Sequence, residues 1–158
     1  TAPAAVFDNE AEVKTAFNEG RLNSDVAVVV RFQGPQANGM PELHSLTPIL
    51  SSLQQKGHAV MLITDGRMSG ASGRVPAALH LTPEAINGGA IGAICDGDMI
   101  TLDVASGRLS VEADLSQRPQ ASSKPFEGGF GRELFSNMRE QAASAEAGGG
   151  INLLWRYQ

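Results

Sequence analysis

The sequence predicts an α/β domain with a mixed sheet that is curved or barrel-like rather than doubly wound. In the first half, continuous apolar segments alternate with segments whose apolar residues recur at helical spacing. In the second half, several strand-like segments are separated only by short turns. The length and composition agree with this class, because 158 residues of which 42% are hydrophobic can build one domain with a sizeable core.

The first 57 residues predict two helices around a strand. Asn9 followed by Glu12 resembles a helix-capping pair, and the short amphipathic helix that follows ends at Gly20. Residues 26–32 are continuously apolar and predict a buried strand. A loop leads to Pro41, after which leucines and an isoleucine at three-to-four spacing predict a helix across one face of the sheet.

The middle of the chain is predicted to be rich in sheet. A strand over residues 58–63 leads into a glycine-rich loop, and Thr82-Pro83 reads as an N-cap and first position of a brief helix. Three further strands are predicted over residues 91–95, 99–104 and 109–112, joined by turns that contain Gly and Asp or Ser.

The chain is predicted to form a single domain over residues 1–158. Residues 1–116 form its core, and the polar, proline-bearing residues 117–131 form an extended connector. A C-terminal helix is predicted over residues 132–147, whereas residues 148–158 receive no assignment.

Charge and cysteine content exclude several function classes. The net charge is −5, with acids and bases interspersed, so nucleic-acid binding has no electrostatic basis. No apolar run approaches the roughly 18 residues that span a bilayer, and the start of the chain has no signal-peptide pattern. The single cysteine, Cys95, lies in an apolar run and is predicted to be a buried structural thiol in a reducing compartment.

The glycine-rich loop over residues 64–74 is the strongest candidate for a functional site. It directly follows a buried strand and places Ser69 among three glycines, so we expect Ser69 to face a cleft. The loop matches neither a P-loop, nor a dinucleotide-binding motif, nor a hydrolase nucleophile elbow. From the pattern alone, an ordinary connector is an equally good interpretation.

Two separated blocks resemble a known family. Gly-Met-Pro-Glu at residues 39–42 and Asp-Gly-Arg-Met-Ser-Gly at 65–70 resemble the iron–sulfur dehydratase family that includes dihydroxy-acid and phosphogluconate dehydratases. Residues 69–78 and 130–135 look like the phosphogluconate branch. The resemblance implies a hydro-lyase of the Entner–Doudoroff pathway that converts 6-phospho-D-gluconate to 2-keto-3-deoxy-6-phosphogluconate and water. It also implies that this chain is the C-terminal quarter of the enzyme.

The same resemblance implies a fold, cofactors and partners. The family's C-terminal domain looks like the swivelling β/β/α domain of aconitase-type enzymes, whose sheet would begin upstream of Thr1. An iron–sulfur cluster would have its ligands in the N-terminal part, and a magnesium or similar divalent cation would also be bound. The expected partners are 6-phospho-D-gluconate, the N-terminal cluster-bearing domain and a second subunit of a cytoplasmic homodimer. We expect the isolated chain to be inactive, because a cluster needs about four thiolate-type ligands.

Glu42 and Ser69 are the principal site residues that the resemblance implies. Glu42 matches the family glutamate that reaches the magnesium ion, and Ser69 matches the serine that takes the C2 proton of the substrate. Both would then converge on one concave surface. Without the resemblance, Glu42 is more simply a solvated loop acid.

The remaining polar residues of the loop allow two interpretations each. Arg67 and Arg74 either bind substrate through positive charge or phosphate contacts, or form surface salt bridges. Ser72 either contacts substrate or stabilises the loop. Asp65 is predicted to cap backbone N–H groups and to shape the turn.

Two alternatives to the phosphogluconate reading remain open. The first is a dihydroxy-acid or other sugar-acid dehydratase domain, which the shared motifs also fit. The second is a non-enzymatic α/β interaction domain in which the glycine-rich loop contacts a partner protein.

Overall fold

A computed structural model describes residues 1–69, 73–124 and 131–151, which form one mixed sheet with flanking helices. The described strands are β1 (Ala2–Phe7), β2 (Val26–Val30), β3 (Val60–Thr64), β4 (Ala77–Ala78), β5 (Met99–Asp103) and β6 (Arg108–Val111). The described α-helices are α1 (Glu10–Asn18), α2 (Pro35–Asn38), α3 (Thr47–Gln55) and α4 (Ser136–Glu140). Single 3₁₀ turns lie at His44–Leu46, Ala85–Asn87, Ala90–Ala93, Leu115–Gln117 and Arg132–Phe135.

The sheet has a parallel part and an antiparallel part. Its strand order is β4-β3-β2-β1-β5-β6. The first four strands in that order are parallel to one another, whereas β5 is antiparallel to β1 and to β6. The sheet is nearly closed and barrel-like, which confirms the predicted α/β class with a curved mixed sheet and flanking helices.

Both faces of the central strand β2 are buried. Val28 and Val30 pack in a cluster with Val13 of α1 and Leu50 of α3. The alternate residues, such as Val29, pack on the other face with Ile91 and Ile100 inside the curved sheet. Because side chains alternate between the faces of a strand, burial on both faces explains why the sequence of β2 is continuously apolar.

The predicted cap of α1 is confirmed. The side chain of Asn9 accepts a hydrogen bond from the Glu12 N–H at 3.0 Å, and the Glu12 carboxylate accepts one from the Asp8 N–H at 2.9 Å. Gly20 follows the helix with a φ of +76°, a conformation that glycine adopts without steric cost. Two hydrogen bonds and one glycine therefore define the ends of this helix.

The predictions missed several elements before residue 90. Strand β1 lies in the middle of the sheet although its sequence, rich in alanine and containing a proline, carries no strand pattern. Helix α2 and strand β4 lie in segments predicted as loops. The brief helix predicted to begin at Thr82-Pro83 is a 3₁₀ turn that starts after Glu84.

Two predictions for the later part of the chain were wrong. Residues 91–95 do not form a strand, because the segment turns as a 3₁₀ helix over Ala90–Ala93, and Cys95 beyond it is exposed rather than buried. The helix predicted over residues 132–147 is only a 3₁₀ turn followed by the five residues of α4. After α4 the chain folds back, and Ala142 pairs with Ile151 in an antiparallel bridge.

The exposure of Leu134, Phe135 and Met138 gives a physical reason for the short C-terminal helix, because helices gain most of their stability from a buried apolar face. The predicted connector over residues 117–131 and the unassigned tail over 148–158 lie partly outside the described residues. Within the described part of the chain, no helix is long and apolar enough to cross a membrane.

Candidate functional site

The candidate site lies beyond the carboxyl ends of the neighbouring parallel strands β2 and β3. These strands pair in register to their last residues, Val30 and Thr64. Further along, the two connecting segments meet again, because Glu42 and Arg67 form an isolated parallel bridge and the Leu43 N–H donates to the Arg67 carbonyl at 3.1 Å. Ligands of α/β proteins bind outside the carboxyl ends of the strands, so this is the expected edge of the sheet.

The bridge places Glu42 against Ser69. The Ser69 N–H donates to both carboxylate oxygens of Glu42, at 2.9 and 3.0 Å, and the Ser69 hydroxyl donates to Oε2. The prediction that these residues, 27 positions apart, converge is therefore confirmed as a direct contact. Ser69 is exposed and the Glu42 side chain is 31% exposed, so a ligand can reach both.

The surroundings of Glu42 favour its ionised form. The hydrogen bond from the Ser69 hydroxyl is the main reason why the pKa of Glu42 lies below its usual value. Burial is the second influence and acts in the opposite direction, whereas the backbone N–H groups of Ser69 and His44 and the charge of Arg67 also lower the pKa. The ionised carboxylate is a hard oxygen donor of the kind that binds magnesium.

Of the other predicted substrate-binding residues, only Arg67 is seen in contact with this pair. Its Nη1 lies 3.9 Å from the Glu42 carboxylate, and its Nε donates to the Met40 carbonyl at 3.0 Å. Arg74 is exposed and its carbonyl accepts a hydrogen bond from Gln54, but its side chain forms no ion pair with any described residue. Ser72 lies outside the described residues.

Asp65 organises the backbone beneath the site. Its side chain is fully buried and accepts hydrogen bonds from the N–H groups of Phe32, Gln33 and Ala85 at 3.1, 2.9 and 3.0 Å. The predicted capping of backbone N–H groups is thereby confirmed, although these groups belong to segments 20 to 33 residues away and not to the turn that contains Asp65. Burial raises the pKa of Asp65 above its usual value, although the three N–H groups act in the opposite direction.

Glu84 has a comparable role that sequence reasoning missed. Its carboxylate is buried and accepts hydrogen bonds from the N–H groups of Gln36 at 3.2 Å and Ala37 at 3.1 Å, in the first turn of α2. Burial raises the pKa of Glu84, and the negative charge of Asp65 contributes to the increase. One sequence feature could have indicated this role of Glu84. Gly34-Pro35 begins a helix but supplies no capping side chain, so the cap must come from elsewhere in the chain.

The close approach of Glu84 explains why residue 34 is a glycine. A Cβ atom at Gly34 would lie 2.3 Å from the Glu84 carboxylate, so a larger residue there would displace it. The carboxylate and the glycine thus form one structural unit that fixes the start of α2 and, through it, the path towards Glu42.

The described residues supply only part of a metal or cluster site. No group of three His, Cys, Asp or Glu side chains within them could hold a metal ion. Glu42 is a single carboxylate of the oxygen-donor type that magnesium binds. Cys95 is a lone exposed thiol and does not fit an iron–sulfur cluster, which needs about four such ligands.

Comparison with known proteins identifies similar chains. The family model described as dihydroxy-acid/6-phosphogluconate dehydratase C-terminal matches residues 1–149. Phosphogluconate dehydratase of Zymomonas mobilis is 56% identical over 93% of this chain and 25% of its own length. The enzyme of the same name from Escherichia coli K12 is 48% identical over the same shares of both chains. A dihydroxy-acid dehydratase of Ruminiclostridium cellulolyticum is 40% identical over 71% of this chain and 20% of its own length. The chain thus spans about a quarter of the length of these two phosphogluconate dehydratases.

Proposed function

The chain belongs to the dihydroxy-acid/6-phosphogluconate dehydratase C-terminal family, and from this membership we propose that the whole protein dehydrates 6-phospho-D-gluconate. The products are 2-keto-3-deoxy-6-phosphogluconate and water. The relatives named phosphogluconate dehydratase support this substrate, because they match more of the chain at higher identity than the relative named dihydroxy-acid dehydratase. The proposal places the reaction in the Entner–Doudoroff pathway and the protein in the cytoplasm.

The contact between Glu42 and Ser69 is the observation that carries the proposal. In the reaction, Ser69 first gives its hydroxyl proton to solvent, and the C2–H bond then breaks with its proton passing to Ser69 Oγ. The C2–H electron pair forms the C2–C3 double bond as the C3–O bond breaks, and the leaving hydroxide takes up a proton to become water. The resulting enol tautomerises to the 2-keto acid. Serine is a weak base, so its oxygen needs neighbouring positive charge to lose its own proton first. Arg67 supplies one such charge beside Glu42. Glu42 would be one ligand of a magnesium-type cation that would stabilise developing negative charge on the substrate, and a cluster held outside this chain would supply a Lewis acid for the leaving hydroxyl.

The chain's own residues prepare this chemistry before substrate arrives. Glu42 holds the Ser69 hydroxyl in one orientation and remains ionised, ready to serve as a ligand of the cation. On this proposal, the cluster ligands lie in an N-terminal domain against which this domain packs, the enzyme is a homodimer, and the isolated 158-residue chain is inactive.

The test compares substrates in the purified, cluster-loaded, full-length protein. We expect dehydration of 6-phospho-D-gluconate, measured as 2-keto acid formed, at a kcat/KM well above that for an unphosphorylated 2,3-dihydroxy acid. A preference for the unphosphorylated acid would instead support the dihydroxy-acid or other sugar-acid alternative. Absence of turnover with every acid would support an interaction domain.

A further inference from the structure

A cavity lies beside the candidate site, between α2 and the returning C-terminal segment, residues 131–151. Its volume is about 430 Å³, within the range of small-molecule sites. Met40 and Asn38 line it from one side, and Arg132, Phe135 and Arg139 line it from the other. The cavity therefore exists only because the C-terminal segment folds back onto α2.

Met40 connects the cavity wall to the Glu42–Ser69 pair, although neither residue of the pair lines the cavity itself. Met40 lies two residues before Glu42, and two residues of extended chain span at most about 7 Å. The Met40 carbonyl also accepts the hydrogen bond from Arg67 Nε at 3.0 Å. A ligand with one end at Glu42 can thus extend along this short segment into the cavity.

The charged groups of the cavity wall favour an anion. Arg132 and Arg139 contribute positive charge, and no carboxylate belongs to the described residues that line the cavity. An adjoining cavity of about 460 Å³ shares both arginines and adds Lys124, but Asp8 and Glu140 line it as well and offset part of the positive charge. Lys124 is already paired with Asp8 and Glu12. The first cavity is consequently the better anion site.

Hydrogen bonds hold both guanidinium groups in place. Arg132 donates to the side-chain oxygen of Asn38, and Arg139 Nη1 donates to the Arg132 carbonyl at 3.1 Å. Guanidinium groups bind phosphate through paired N–H donors, and a fixed orientation lowers the entropic cost of binding.

We propose that this cavity binds the phosphate group of the substrate through Arg132 and Arg139. The inference rests on the proposed function, because it takes 6-phospho-D-gluconate as the substrate. The carboxylate end of this six-carbon acid then lies at Glu42, and its phosphate end lies in the cavity. Arg67 then belongs to the carboxylate end, where its contacts with Met40 and Glu42 place it. The two arginines become the residues that select a phosphorylated over an unphosphorylated acid.

The test measures binding and turnover in the full-length enzyme with Arg132→Gln, Arg139→Gln and the control Arg108→Gln, an exposed arginine on β6. Calorimetry with 6-phospho-D-gluconate and with D-gluconate separates the contribution of the phosphate. We expect each cavity variant to bind the phosphorylated acid about 10- to 100-fold more weakly, because charge-assisted hydrogen bonds are lost. Affinity for D-gluconate should change less than about threefold, and Arg108→Gln should resemble the wild type.

The substitution Arg132→Lys and thermal melting guard against a folding defect. The lysine keeps the charge but loses the planar fork, so we expect an intermediate affinity for the phosphorylated acid at an unchanged melting temperature. Equal loss of affinity for both acids, or no loss, in an enzyme that dehydrates 6-phospho-D-gluconate would overturn the phosphate site alone. An enzyme that binds the phosphorylated acid through these arginines but dehydrates only an unphosphorylated acid would overturn the proposed function and leave the phosphate site standing.

Discussion

Two groups of carboxylates at the same end of the sheet have opposite properties. Glu42 is partly exposed and its pKa is lowered, chiefly by the Ser69 hydroxyl. Asp65 and Glu84 are buried and their pKa values are raised, chiefly by burial. The exposed carboxylate contacts side chains and can be reached by a ligand, whereas the buried pair bonds only to backbone N–H groups.

The difference separates the residues that can take part in chemistry from those that build the site. The exposed pair, Glu42 and Ser69, can be altered with little effect on packing, because neither side chain is part of a hydrophobic cluster. Asp65 joins its own loop after β3 to the segments that follow β2 and β4, and Glu84 joins the segment after β4 to α2. Loss of either carboxylate should therefore reduce stability first.

Ser69→Ala should reduce kcat of the full-length enzyme by about 10²- to 10⁴-fold, the contribution typical of a general base. The melting temperature should hardly change, because Ser69 is exposed. Ser106→Ala is the matched control, since the Ser106 hydroxyl also donates to a neighbouring carboxylate, Asp103, in the β5–β6 turn. Near-normal turnover of Ser69→Ala in steady-state assays would show that Ser69 is only a loop residue.

Asp65→Asn should destabilise the 158-residue chain by about 3 kcal/mol in urea unfolding, because the amide cannot accept all three buried N–H groups. Asp114→Asn serves as the control. Asp114 accepts hydrogen bonds from Ser116 in an exposed turn, so its replacement should change the stability far less than that of Asp65. Equal effects of the two substitutions would contradict the organising role of Asp65.

Gly34→Ala should destabilise the chain by about 1–2 kcal/mol, because the new methyl group displaces the Glu84 carboxylate from the N–H groups that begin α2. The backbone at Gly34 has a φ of −74°, which alanine adopts freely, so the effect is purely steric. At Gly150 an added Cβ meets no atom within 4 Å, so Gly150→Ala should be nearly neutral in the same unfolding experiment.

The pH dependence of stability should have opposite signs for a buried and an ion-paired carboxylate. Burial raises the pKa of Glu84 in the folded protein. Its contribution to the free energy of unfolding is therefore fully present below its pKa in the unfolded chain, about 4, and is lost as the pH rises through its pKa in the folded protein. The hydrogen bonds from Arg118 lower the pKa of Asp98, so its contribution is present above about pH 4 and is lost on acidification.

Unfolding of the wild type, Glu84→Gln and Asp98→Asn across acidic and neutral pH measures this difference. The stability of the wild type relative to Glu84→Gln should fall as the pH rises above about 4, and relative to Asp98→Asn it should fall as the pH drops below about 4. Slopes of the same sign would show that Glu84 is solvated like a surface carboxylate.

Sequence reasoning succeeded where the signal is local. The cap of α1 and the apolar run of β2 depend on neighbouring residues, and the structure has both. The convergence of Glu42 and Ser69 was predicted from a family resemblance in two blocks of the sequence, not from the spacing of the residues. Glu84 was missed because its partner, α2, lies 48 residues earlier in the chain.

The failures share a non-local cause. β1 is a strand because β2 and β5 lie on either side of it, not because of its alanine-rich sequence. The segment over residues 132–147 has helix-forming residues, but its exposed apolar side chains find no core that would stabilise a long helix. Both outcomes depend on packing partners that a single sequence does not reveal.

The three hydrogen bonds of Asp65 also have a consequence for amide hydrogen exchange. Phe32 and Gln33 lie outside helices and strands. Amide hydrogens in such segments ordinarily exchange rapidly with solvent, through small local openings. Their N–H groups and that of Ala85 are held by one buried carboxylate, so none can exchange until the loops around it separate. These three amides, far apart in the chain, should therefore exchange slowly and at a common rate, as a single opening unit.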